Sequence, residues 1–295
     1  MTVDFNNWQP AHTDFYYNPF PHIVSNEILP TDLIPEINNN WPNPDSFTPE
    51  VPGNYVLYLP QKIAGNLKIK NENFWQGFLD NTYIPLCNSI KRLYAPIIER
   101  RYSAAFKDIS FASICLMESE LDYPGHPLHT HHYHDPTWLC SNFIYLDDAD
   151  TNARGTTLYG LKGNVCLDRQ AQIAAHSFMW ESEADMIKFK EVPFQRNQLL
   201  SFVDGPTSYH GVEKSNTISD PLPRRGRRLI RCHIQLDPLK FIPMLYGVSP
   251  EEYKKTLLHL NIVNGYHVET GRDIVEWAKK DITEIYTKPV FKPSR

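Results

Sequence analysis

Apolar positions change their period twice along this chain. Between residues 71 and 102, "NENFWQGFLDNTYIPLCNSIKRLYAPIIERRY" places Phe74, Phe78, Ile84, Leu86, Ile90, Leu93 and Ile97 at roughly helical spacing. Pro85 and Pro96 are expected to kink or divide that helix. A shorter helix is expected in "LPTDLIPEINNNWP", capped by Thr31 or Asp32 and stopped before Pro42. From Phe106 to Asp237 the texture becomes short apolar or alternating runs between turn residues: "ISFASICLME", "LCSNFIYLDD", "TTLYGLKG", "QLLSFVDG" and "RRLIRCHIQLD". Such runs predict strands of a sandwich or barrel. Helical spacing returns in "SPEEYKKTLLHL", which opens with a capping box at Ser249, Pro250 and Glu252, and in "GRDIVEWAKKDITEIY".

These periods predict an α+β chain with a central β-fold flanked by helices. The expected divisions are an N-terminal helical segment over 1–105, a β core over 106–240 and a C-terminal helical extension over 241–295, all within one structural domain. There is no internal repeat, and the 24 prolines are spread through the chain as turn signals.

Composition narrows the partners. Of the 295 residues 41% are hydrophobic, enough for a core, and the net charge is −5 with histidine neutral. Nucleic acid and anionic membranes are poor partners for such a chain, since only "PRRGRRLIR" gathers basic residues. Five widely spaced cysteines without a CxxC suit a reduced, cytoplasmic protein. The first residues lack the basic and apolar regions of a secretory signal, and no run of about 18 apolar residues is present to span a membrane.

The chemistry concentrates in "HPLHTHHYHDPTWLCSNFIYLDD", residues 126–148, with five histidines in nine positions before an apolar strand. Neutral imidazole is a good ligand for first-row metals. On an extended strand residues i and i+2 point to one side, so His132 and His134 can reach one ion, and His129 and His131 form a second such pair. A third ligand must come from elsewhere, and His210, in "FVDGPTSYHGV" at another strand end, is the best candidate. His12, His22, His176, His233, His259 and His267 read as structural or surface residues.

The order of "HHYHDP", "FIYLDD", "RGTTLYG", "SYHGV" and "RRGRRLIRCHI" resembles the 2-oxoglutarate-dependent non-haem iron oxygenases over residues 18 to 240. The resemblance implies a double-stranded β-helix, a jelly-roll or cupin-like core. It implies Fe(II) held by two histidines and a carboxylate, with 2-oxoglutarate and O2 as co-substrates and ascorbate as a stimulant. It implies hydroxylation of an unactivated C–H, on a small molecule or on a carrier-bound or peptide-bound residue. The distal carboxylate of 2-oxoglutarate needs a buried cation, and guanidinium suits it by forking onto both oxygens. Arg228 shares a strand face with Ile230, Cys232 and Ile234 and is the expected inward anchor; Arg227 is the alternative, and Arg224 and Arg225 are open because the 18 residues from His210 to Arg228 exceed the family spacing. Tyr145 and Asn142 are candidate co-substrate contacts. Thr157 and Tyr159 are candidates for the substrate mouth, and Trp138 for packing over the metal loop.

The resemblance breaks at the carboxylate. Aligned on Tyr145-Leu146, the pattern places its first histidine at His132 and its acid at His134, with Asp135 one residue late. Two arrangements follow: a bulge that brings Asp135 to the metal, or coordination by His134 in an all-imidazole triad. The second also resembles three-histidine cupin enzymes that do not use 2-oxoglutarate. A non-catalytic β-sandwich binding protein is the remaining alternative. The C-terminal helices are expected to cover the barrel, shape the substrate mouth or form a homodimer contact.

Overall fold

Three long strands realise the alternating runs of the core and lie side by side: Ser110–Ser119, Trp138–Tyr145 and Arg227–Leu236. The protein is seen in a computed structural model that describes residues 4–59, 69, 71–102, 110–120, 125–131, 138–147, 155–163, 185–205, 207–213, 227–236, 262–263 and 266–267. In chain order the strands are β1 (Phe15–Tyr16), β2 (His22–Ser25), β3 (Thr48–Val51), β4 (Asn54–Leu59), β5 (Ser110–Ser119), β6 (His126–His129), β7 (Trp138–Tyr145), β8 (Thr156–Leu161), β9 (Met186–Val192), β10 (Leu199–Val203), β11 (His210–Val212) and β12 (Arg227–Leu236).

Eight of them form a large sheet in the order β1-β2-β10-β7-β12-β5-β4-β3, and four form a small sheet in the order β6-β11-β8-β9. Every neighbouring pair is antiparallel. From β5 onward the chain passes back and forth between the sheets, as in a jelly roll, which uses two sheets to limit exposed edges. The first hairpin, β3–β4, turns through Pro52 and Gly53, and Gly53 takes φ 74°, a conformation that costs glycine little.

The large sheet is buried on both faces. On one face Ile114, Leu116, Ile144, Ile230, Cys232 and Ile234 join Trp75, Leu86, Ile90 and Tyr94 in a single apolar cluster. On the other, Cys115, Met117, Phe143, Tyr145 and Leu229 pack with Leu158, Val192 and Phe194. The first face is covered by helices α1 (Leu33–Asn40), α2 (Glu72–Phe78) and α3 (Ile84–Tyr102). Tyr83 Oη donates to Ile230 O and Tyr94 Oη to Ser201 O, so helix and sheet are joined by polar contacts as well.

The expected helical region over 71–102 is divided just before Pro85 and runs on through Pro96. A π-helical turn, Leu79–Tyr83, separates α2 from α3. Pro85 follows that turn as the second residue of α3, and Pro96 lies inside α3 without ending it. Asn71 caps α2 by accepting from Phe74 N. Asp32 stands at the cap position of α1 but makes no side-chain capping bond there.

The expected helices at 249–260 and 271–286 lie outside the described residues; between them Ile262–Val263 pairs with Tyr266–His267. Among the described residues no helix is long and apolar enough to cross a membrane. Cys87, Cys115, Cys140 and Cys232 are buried thiols.

Candidate metal centre

His129 ends β6, and His131 follows two residues later with its ring turned toward that of His129. Register supplies the third ring: His210, the first residue of β11, pairs with His129 across β6 and with Leu158 across β8. The ring centroids of His129 and His131 lie 4.3 Å and 4.5 Å from that of His210. His129 Nε2 and His131 Nε2 are 3.3 Å apart. One nitrogen of each of the three rings falls within 4.8 Å of the others. His131 and His210 are buried and His129 is half-buried.

The outer edges of two rings are held by hydrogen bonds. His210 Nδ1 donates to Ser208 O at 2.9 Å. His131 Nδ1 lies 3.0 Å from Asp204 Oδ1 and 2.8 Å from Ser141 Oγ. Each contact leaves Nε2 as the lone-pair nitrogen facing the cluster, the orientation that outer-shell partners impose on metal-bound histidine. Burial, and then the neighbouring His210, His129 and His233, drive the His131 pKa well below its usual value, which keeps the ring neutral and able to ligate. The residues therefore fit a first-row transition metal with nitrogen ligands.

A second group, His131, Asp204 and His233, also has donor atoms within 4.8 Å of one another. The Ser141 hydroxyl stands among them, 2.6 Å from Asp204 Oδ2 and 2.9 Å from His233 Nδ1. This group is a hydrogen-bonded network behind the imidazole cluster. Trp138 stacks on His233 with centroids 3.7 Å apart, and Phe202 lies 4.6 Å from His210. Trp138 thus packs against the network.

The candidate anchors divide by strand parity. Arg227, Leu229, Arg231 and His233 share one face of β12, and His233 reaches Ser141 on that face. Arg228 lies on the opposite face with Ile230, Cys232 and Ile234, the face that the helices cover. There Arg228 Nε donates to Asp147 Oδ1 at 3.0 Å, and its guanidinium lies over Trp41. Alternation alone marked the apolar face as the barrel interior; because both faces of β12 are buried, it marked the helix-packed face instead.

Arg227 is buried, 4.9 Å from the Phe194 centroid and 5.9 Å from that of Tyr145. Tyr145 Oη is 2.8 Å from Thr156 Oγ1. Burial raises the Tyr145 pKa, and Arg227 partly offsets that rise. Arg231, also buried, is held by Glu50 at 2.7 Å and by Cys115 Sγ at 3.2 Å. Asn142 lies one residue out of phase with Ser141, Phe143 and Tyr145, and donates to Cys232 O. Tyr145 and Asn142 thus stand on opposite faces of β7. Thr157 is buried opposite Gly211, and Tyr159 Oη donates to Glu213.

His132, His134 and Asp135, and likewise Arg224 and Arg225, lie outside the described residues. Sequence spacing identified His129 and His131 as a possible pair but ranked them second. It missed Asp204 and Ser141, and read His233 only as a structural or surface residue. The available signal was Asp204 itself, an acid six residues before His210 at the end of an apolar strand.

No protein-family model matches the chain, and no curated protein matches it in sequence. Solved structures similar to it include a prolyl-4-hydroxylase of Pseudomonas putida, with 11% identity over 73% of this chain and 92% of that one, TM-score 0.43. Another is a 2OG-Fe(II) oxygenase family oxidoreductase from Burkholderia pseudomallei, with 10% identity over 72% and 84%, TM-score 0.43. A third is HygX from Streptomyces hygroscopicus, solved with nickel and 2-oxoglutarate bound, with 12% identity over 73% and 82%, TM-score 0.41. All three are similar to this chain at low identity, and the metal site described above stands on the geometry of the chain's own residues.

Proposed function

We propose that this chain is an Fe(II)- and 2-oxoglutarate-dependent dioxygenase that hydroxylates an unactivated C–H of a small metabolite, an amino acid or a carrier- or peptide-bound residue. The observation that carries the proposal is the convergence of His129, His131 and His210 on one point between the sheets. When bound there, the iron would couple oxidative decarboxylation of 2-oxoglutarate to oxidation of the substrate. The chain's part is to hold, orient and exclude water. The three imidazoles bind through nitrogen, with His131 and His210 fixed from behind.

Arg227, Tyr145 and Thr156 supply a cation and two hydroxyls for the distal carboxylate. Thr156 lies two residues along β8 from Leu158, the register partner of His210. That offset is about 7 Å of strand, a reach suited to a five-carbon diacid. Arg231 is committed to Glu50 and is the weaker candidate for this role.

The test is turnover. Purified protein with Fe(II), ascorbate and candidate substrates is expected to consume 2-oxoglutarate and release succinate. Failure of the Fe(II) form to bind 2-oxoglutarate would overturn the proposal.

The all-nitrogen donor set also supports a second reading, a three-histidine metal enzyme that does not use 2-oxoglutarate. It predicts metal-dependent activity that survives Arg227→Ala. A thiol mechanism has little support at Cys115, whose pKa burial pushes up to about 11.

A further inference from the structure

Three neutral imidazoles leave a bound divalent ion with its full charge. A carboxylate ligand would remove one unit of it. Among the described residues the one acid beside the cluster is Asp204, which is fully buried and touches His131 on the edge facing away from His129 and His210. We propose that Asp204 is a positioning residue: it supplies negative charge to the metal centre from one hydrogen bond behind His131. This inference rests on reading the three-histidine cluster as a metal centre.

The hydrogen bonds around Asp204 suit a carboxylate. With His131 Nε2 turned to the metal, its proton resides on Nδ1, between Ser141 Oγ at 2.8 Å and Asp204 Oδ1 at 3.0 Å. Ser141 Oγ donates to Asp204 Oδ2 at 2.6 Å and accepts from His233 Nδ1 at 2.9 Å. Both oxygens of Asp204 therefore accept, as a carboxylate does. A carboxylate–imidazole–metal chain raises the basicity of the ligand and fixes its ring.

The backbone places Asp204 for this role. Asp204 N donates to Leu139 O, and the turn that follows is closed by Gly205 N donating to Ser208 Oγ. The carbonyl of the same Ser208 accepts from His210 Nδ1. Asp204, at the end of β10, and His210, at the start of β11, thus supply the carboxylate behind one ligand and a second ligand. A bulky and neutral His131 then does not leave the site without a negative partner.

Co(II) serves as the probe, with affinity from calorimetry, the ligand-field spectrum, and the Fe(III)/Fe(II) potential of the iron form. Wild-type protein is expected to bind one Co(II). Asp204→Asn is expected to weaken binding about 10–100-fold, to shift the spectrum and to raise the potential. In a His131→Asp background the carboxylate ligates directly, so adding Asp204→Asn is expected to leave affinity unchanged or improve it, by removing repulsion between two buried acids. Should Asp204→Asn alone fail to fold, this pair of variants decides. Wild-type-like affinity, spectrum and potential in Asp204→Asn would overturn the inference while leaving the metal centre standing. So would an equal loss of Co(II) affinity in both backgrounds, which is the mark of a purely structural acid. Wild-type protein that binds no Co(II) would overturn the metal centre and this inference together.

Discussion

His129 Nε2 and His131 Nε2 face each other at 3.3 Å, two residues apart on one extended segment. Two lone pairs at that distance repel unless a proton or a cation lies between them. The first prediction follows. His129→Ala and His131→Ala should each lower Co(II) affinity by more than the roughly 10–100-fold typical of an outer-shell loss, and His210→Ala should do the same. Equilibrium dialysis with elemental analysis measures it. Unchanged one-to-one binding in any of the three would remove that residue from the site.

Arg227 and Arg228 are neighbours in sequence with opposite surroundings. Arg227→Ala removes a buried cation from Tyr145 and Phe194 and is expected to weaken 2-oxoglutarate binding by about 2 kcal/mol or more, roughly thirtyfold in Kd. Arg228→Ala removes a half-exposed pair with Asp147 and is expected to cost below about 1 kcal/mol of stability, with 2-oxoglutarate affinity nearly unchanged. Calorimetric titration of the metal-loaded variants distinguishes the two, and the reverse ranking would return the anchor to Arg228.

Arg231 is buried and its guanidinium is neutralised by Glu50, itself partly exposed. Glu50→Gln keeps the shape but removes the charge. It is expected to destabilise the fold by about 1–3 kcal/mol, because a buried charged group loses its partner. Glu50→Gln combined with Arg231→Met should recover part of that loss. Urea unfolding monitored by circular dichroism checks both, and additive losses in the double variant would contradict a coupled pair.

Gly155 precedes Thr156 at the start of β8. A Cβ there would stand 1.6 Å from Val192 O, a backbone atom that cannot rotate away. Gly155→Ala must therefore part β8 from β9. The expected cost is about 1–3 kcal/mol, with weaker 2-oxoglutarate binding through displacement of Thr156 and Tyr145. Thermal unfolding and ligand titration of the same variant read the two effects, and a variant as stable as the parent would show that the sheet edge yields freely.

Much of this protein was determined by local sequence. Alternation over 110–119, 138–145, 156–161, 199–203 and 227–236 specifies strands wherever they later pack, because side chains on extended backbone alternate between faces. Helical spacing over 71–102 likewise needs no tertiary information. The crowding of imidazole before β7 and the isolated His210 pointed to a candidate metal site from residue type alone. Tertiary structure decided which rings meet: the β6–β11 register sets His210 opposite His129, and pairing across strands 81 residues apart leaves no trace in either segment. It also decided that Arg227 and Arg228 meet different surroundings, since a strand buried on both sides alternates its residues against two different cores. Asp204 belongs to the same class, an ordinary acid in sequence whose role arises only where the sheet brings its carboxylate to the back of His131.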